Sequence, residues 1–255
     1  MELQLDNRFD VIGCRINHLK NDEAVDSLIS HAESGEGGYV CFVNVHVSVM
    51  AKEDPGLREI INNSYLSFPD GKPLYWVGQL KGIKKIERIA GPNFFVSLMG
   101  AKNSPPLKHY FYGSRPEVLE SLVKHVNKEF PEAKIVGYES PPFRELTPEE
   151  REAALSRIRS AHPDFVWVGL GAPKQEFWME QNWQALRPAI LLGVGAAFDF
   201  HAGFITRAPH WIQKIGFEWL HRLIQEPGRL WKRYLYTNTM FLWHLLFSSC
   251  GLKKQ

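Results

Sequence analysis

The chain comprises 255 residues, 44% of them hydrophobic, with 30 basic against 28 acidic side chains and a net charge of +2. That is enough to bury a sizeable core in one large α/β domain, or in one domain plus an appendage. Three dispersed cysteines (Cys14, Cys41 and Cys250) without a CxxC spacing argue against a disulfide framework or a zinc site and fit a reducing compartment.

The opening residues, MELQLDNRFD, lack the apolar segment of a secretory signal. Strands are then expected at Val11–Ile16, Tyr39–Val43, Leu66–Phe68, His109–Tyr112, Lys134–Gly137, Phe165–Val168 and Ile190–Val194. Intervening helices should begin near Asp22, Asp54, Lys72, Asn93, Pro116, Thr147 and Pro173. Thr147-Pro148-Glu149-Glu150 has a capping side chain, proline at the first helical position and acids against the positive helix end. Alternating strands and helices imply an α/β fold: a Rossmann-like, mostly parallel sheet flanked by helices.

A composition shift follows the loop at Phe204–Pro209, dividing the chain into an α/β body (1–204) and an appendage (205–255). The appendage carries a charge of +6 and nine aromatic residues, whereas the body carries −4. Pro227-Gly228 should split it into helices at Ala208–Gln225 and Arg229–Phe247. The uncharged run Tyr234–Cys250 is 17 residues long and contains polar side chains, short of the roughly 20 apolar residues of a span. Lying in a membrane interface, or docking on the protein's own core, fits it better.

In a parallel sheet, ligands bind outside the carboxyl ends of the strands. Four motifs fall there: Asn44-Val45-His46, Asp70-Gly71-Lys72-Pro73, Gly113-Ser114 and Pro173-Lys174-Gln175-Glu176. Each alone is ordinary turn chemistry; together they should line one edge. Asp70 is the sharpest candidate, since a carboxylate kept ionised by a helix N-terminus can take a proton from an attacking hydroxyl. N-capping is its bland alternative. Asp199, past the strand Ile190–Val194, is the rival acid or a loop anchor. His46 and His201 could each donate to a phosphate or sugar hydroxyl, although His201 reads better as structural.

The loop Gly169-Leu170-Gly171-Ala172-Pro173-Lys174 begins like a dinucleotide fingerprint but has lysine in place of the third glycine. This speaks against a nicotinamide-dependent oxidoreductase. The helix start after it could still hold one phosphate on free amides, assisted by Lys174 or Gln175. No metal-ligand spacing or DxD sequence occurs, so cations such as Arg88 and the appendage arginines would have to offset a leaving group's charge. The slightly acidic body and the aromatics among the tail's charges argue against a nucleic-acid module. A lipid-anchored scaffold would bind no nucleotide.

These pieces, with Arg88-Ile89-Ala90-Gly91-Pro92, Gly193 to Gly203, Arg207-Ala208-Pro209, Glu218-Trp219, Arg222, and Glu226-Pro227 to Arg233-Tyr234, resemble the WecG/TagA/CpsF glycosyltransferases (glycosyltransferase family 26). The resemblance implies an inverting, metal-independent transfer, without a cofactor, of a hexosyl or N-acetylhexosaminyl group. The donor would be a UDP-sugar and the acceptor a polyprenyl-diphosphate-linked saccharide. Asp70 matches the family's proposed general base; Asn44, Arg88 and Gln175 match substrate-pocket positions. Arg222, Arg229 and Arg233 match an appendage used at the membrane, which implies a peripheral enzyme on the cytoplasmic face, with a homo-oligomer open. With these, the candidate binding residues are His46, Gly71, Gly91, Gly113, Ser114, Gly171, Lys174, Glu176 and Asp199. Phe42 stands where many relatives have threonine, and Asn93 where many have aspartate. The Asn-Val-His and Gly-Pro variants look more like the branch that builds exopolysaccharide repeat units.

Overall fold

The computed structural model describes residues 7–103 and 105–250. The first six residues of the segment read for a signal, and Lys253 and Lys254 of the basic tail, lie outside the described residues.

Six parallel strands form one sheet: β3 (Gly38–Val43), β4 (Leu66–Pro69), β5 (Lys108–Gly113), β6 (Lys134–Glu139), β7 (Phe165–Gly169) and β8 (Ile190–Gly193). Their order is β4-β3-β8-β7-β5-β6. Side chains alternate faces along each strand. In β3, Tyr39, Cys41 and Val43 enter one core cluster, and Val40 and Phe42 enter the other. The first cluster is covered by α2 (Val45–Glu53), α3 (Pro55–Asn63), α4 (Lys72–Leu80), α7 (Pro148–Ser160) and α8 (Lys174–Asn182). The second is covered by α1 (Asn21–Ser34), α5 (Gly91–Met99), α6 (Pro116–Glu129) and the short α9 (Ala197–His201).

The expected first strand, Val11–Ile16, is broken at Ile12–Gly13 by the turn of an antiparallel hairpin, β1 (Arg8–Val11) with β2 (Cys14–Asn17). Ile12 and Gly13 adopt φ values of 50° and 102°, and the Gly13 amide donates to Asp10 at 3.2 Å, closing the reversal. The ribbon lies beside β4, where the Ser67 amide donates to the Asn17 side chain at 2.8 Å.

Helix α2 has no counterpart in the sequence reading, because its valine-rich stretch lacks an amphipathic helical signature. Asn44 nucleates it: its side-chain oxygen accepts from the Val47 amide at 3.1 Å, as a capping side chain does. The Thr147–Glu150 capping box forms as expected and starts α7.

Among its described residues, the appendage holds three helices rather than two: α10 (His210–Ile215), α11 (Glu218–Gln225) and α12 (Pro227–Cys250). Gly216 ends α10 at φ 84°, while Pro227 begins α12, where a proline loses no helical hydrogen bond. Helix α12 packs along α2 and buries Phe241 in the first core cluster. None of the described helices is long and apolar enough to cross a membrane.

Candidate active site

One cavity of about 1020 Å³ opens at the carboxyl ends of the strands, with the appendage as its far wall. Two half-sheets meet here, β3–β4 on one side and β8, β7, β5 and β6 on the other. That is where open α/β sheets bind ligands. Of the sequence candidates, Asn44, His46, Asp70, Gly71, Arg88, Gly91, Ser114, Gly171, Lys174, Gln175, Asp199, Arg222, Arg229 and Arg233 line it. Gly113 and Glu176 do not.

Asp70 follows β4, its amide bonded to the Val43 carbonyl at 2.9 Å. One carboxylate oxygen accepts from the Gly91 amide at 3.1 Å and the other from the Asn44 side chain at 3.3 Å. Asn44 therefore caps α2 with its oxygen and orients Asp70 with its nitrogen. The helix start was expected to keep Asp70 ionised, but the balance runs the other way. Burial raises its pKa, helped by nearby Glu218, against the opposing pull of Arg88 and the two hydrogen bonds. A carboxylate held this way is a stronger base than an ordinary aspartate.

Arg88 donates from Nε to the Asp70 carbonyl at 2.6 Å and from a terminal nitrogen to Glu218 at 2.5 Å. It was a candidate to offset leaving-group charge, yet both of these groups serve the protein itself. Glu218 also accepts from Arg207 Nε at 3.1 Å. Burial opposes ionisation of Glu218, but the two guanidiniums outweigh it and hold its pKa below the usual range.

On the other half-sheet, Gly113 gives way to Ser114 in the left-handed region, at φ 63°. A side chain on Gly113 would lie 2.7 Å from the Gly169 backbone, so its glycine serves strand-end packing. At the start of α8, two of the amides expected to cradle a phosphate are bonded within the turn. The Gln175 amide is bonded to the Gly171 carbonyl at 3.0 Å and the Glu176 amide to the Pro173 carbonyl at 3.1 Å. Glu176 is fully buried behind this turn, and burial raises its pKa to about 7. The Asp199 main-chain carbonyl accepts from the Phe204 and Ile205 amides at 3.0 and 3.2 Å, bonds that any residue at this position could make and that leave the role of its carboxylate open. Burial raises the pKa of its carboxyl, against Arg115 and Arg222.

The appendage brings Arg222, Arg229 and Arg233 to the cavity, with Glu226 as their acidic neighbour. Burial and the other two arginines push the Arg233 pKa down. A wall carrying three guanidiniums and one carboxylate favours an anion. His46 lies near Arg233, and burial with that charge lowers its pKa to about 4, keeping it neutral. His201 is not on the cavity wall: its ring nitrogen pairs with the Pro92 carbonyl at 3.0 Å, and the ring stacks on Phe95. No group of three His, Cys, Asp or Glu is placed to hold a metal among the described residues.

Sequence reasoning gave no site role to Arg115, Phe143 or Glu218, which also line the cavity. Arg115 directly follows Gly113-Ser114, so the strand-end logic applied one residue further would have found it. Glu218 stood out only within the Glu218-Trp219 motif; its pairing with Arg88, 130 residues away, has no local signal.

The family model for the glycosyl transferase WecG/TagA/CpsF family matches residues 9–255. An N-acetylglucosaminyldiphosphoundecaprenol N-acetyl-beta-D-mannosaminyltransferase of Bacillus subtilis (strain 168) is 32% identical over 200 residues, covering 78% of this chain and 75% of its own. The protein of the same name from Bacillus spizizenii (strain W23) is 29% identical over 219 residues, 84% of this chain and 83% of its own. The match runs from the hairpin through the last helix and so spans every element that walls the cavity. On these grounds the chain belongs to the WecG/TagA/CpsF family of glycosyl transferases.

Proposed function

We propose that this glycosyltransferase moves an N-acetylhexosaminyl group from a UDP-sugar to a polyprenyl-diphosphate-linked saccharide, with inversion and without a metal ion. One observation carries the reading: Asp70 and the guanidiniums of Arg222, Arg229 and Arg233 border the same cavity. A proton acceptor and an anion-binding wall then face one bound substrate pair. The names of the two Bacillus relatives support an N-acetylmannosaminyl donor group and a lipid-linked N-acetylglucosaminyl acceptor.

In this mechanism Asp70 takes the proton of the acceptor hydroxyl as its oxygen attacks the anomeric carbon. The bond from that carbon to the diphosphate oxygen breaks in the same displacement, and its electron pair leaves with UDP. A single displacement inverts the configuration. The appendage arginines offset the charge that develops on the diphosphate, the role a metal ion plays elsewhere.

The polyprenyl chain requires access to a membrane surface. Trp211, Trp219, Trp231 and Trp243 are exposed on the appendage, beside its basic side chains, a pattern suited to an interfacial anchor. We place the enzyme peripherally on the cytoplasmic face. Incubating it with a panel of UDP-sugars and a synthetic lipid-diphosphate acceptor, while following UDP release, tests the reading. Release only with a UDP-N-acetylhexosamine and acceptor together supports it; no release with any donor refutes it.

A further inference from the structure

Gln175 lines the cavity yet is 4% exposed, and its side-chain amide is locked by two acceptors. Nε2 donates to the Gly193 carbonyl at 2.8 Å and to Glu176 Oε1 at 3.0 Å, which uses both of its hydrogens. Turning the amide over would place Oε1 against the Gly193 carbonyl oxygen, lone pair to lone pair, so the orientation is fixed by chemistry. The remaining atom, Gln175 Oε1, is buried and has no hydrogen-bond partner in the protein. It lies beside Gly195, where an added methyl would approach it to 3.4 Å. A buried acceptor left unpaired is costly, and pairing it on binding recovers that cost.

We infer that Glu176 is a positioning residue: it locks the Gln175 amide so that Oε1 presents one fixed acceptor to an N–H or O–H group of the sugar nucleotide. This rests on the donor class proposed above and adds to it. A diphosphate carries only acceptors on its oxygens and is repelled from Oε1. The contact therefore falls on the base imide or on a sugar hydroxyl or amide, and the phosphates lie elsewhere, toward the arginines. Glu176 is itself fully buried, with Oε2 unpartnered. Retaining a carboxyl there only for packing would be a poor use of the position, since an apolar side chain of similar length avoids its desolvation.

The test uses the whole chain, with UDP and a UDP-N-acetylhexosamine titrated calorimetrically against Glu176→Met, Glu176→Gln and Gln175→Met. Glu176→Met should bind UDP-sugar about 10-fold more weakly while melting at or above the wild-type temperature. A packing role would move both in the same direction. Glu176→Gln keeps an acceptor oxygen for Gln175 and should recover most of the lost affinity; Gln175→Met should lose about 10- to 100-fold. In turnover, donor KM should rise more than kcat falls. A loss shared by UDP and UDP-sugar places the partner on the nucleoside, and a loss confined to UDP-sugar places it on the sugar. Wild-type affinity in folded Glu176→Met or Gln175→Met overturns the inference alone. Wild-type protein that binds no uridine nucleotide overturns it together with the proposed donor.

Discussion

Arg88 and Glu218 meet at 2.5 Å although 130 residues separate them, and the same guanidinium holds the Asp70 carbonyl at 2.6 Å. A single side chain thus couples the loop bearing the candidate base to α11 of the appendage. Arg207 completes the bridge from the other side of Glu218. The appendage is in this way part of the site.

Glu218→Gln should therefore affect stability and catalysis together. It leaves two largely buried guanidiniums without their counter-charge, a loss of about 2–3 kcal/mol, somewhat below that of a fully buried pair. It also removes a negative neighbour that raises the Asp70 pKa. Urea denaturation should show the lower midpoint, and the acid limb of the rate profile should move to lower pH.

Asp70→Asn separates function from folding. Turnover should fall by about 10²- to 10⁴-fold, the usual contribution of a general base, with UDP affinity retained. Burial raises the Asp70 pKa, so the folded state favours its protonated form. That contribution to stability is present below the unfolded pKa, near about 4, and is lost as pH rises through the folded value. At pH 7 the amide variant should be at least as stable as wild type, which thermal melts will show. Near-normal turnover would remove Asp70 from this role.

The three appendage arginines should differ in weight. Arg233 is more sheltered from water than Arg229, and a screened contact with an anion is weaker. Arg233→Ala should reduce UDP affinity more than Arg229→Ala, and the Arg229 effect should shrink more as salt rises. Titrations at low and high ionic strength compare them directly.

Membrane contact is best tested by surface substitutions. Removing residues 229–255 would strip α12 from α2 and expose the face around Phe241, confounding docking with unfolding. Replacing exposed Trp231 and Trp243 with serine should instead weaken binding to anionic vesicles while leaving the melting temperature unchanged. Unchanged vesicle binding would assign these tryptophans to another surface.

The sequence by itself determined the six sheet strands and the motifs that end them, because strands buried on both faces read as short apolar runs and turn residues mark where they stop. Local caps were equally legible: Thr147 and Glu150 meet within one turn of helix. Residues at strand ends converge in any parallel sheet, so Asn44, Asp70, Ser114 and Gln175 could be grouped before any coordinates. Only the tertiary structure decided the rest. The Ile12–Gly13 reversal depends on a left-handed backbone that strand propensity does not encode. The direction of the Asp70 shift depends on what is packed over it, and the orientation of Gln175 depends on the Gly193 carbonyl arriving from another strand. Desolvation and amide orientation belong to the surroundings of a group, and here those surroundings come from distant parts of the chain.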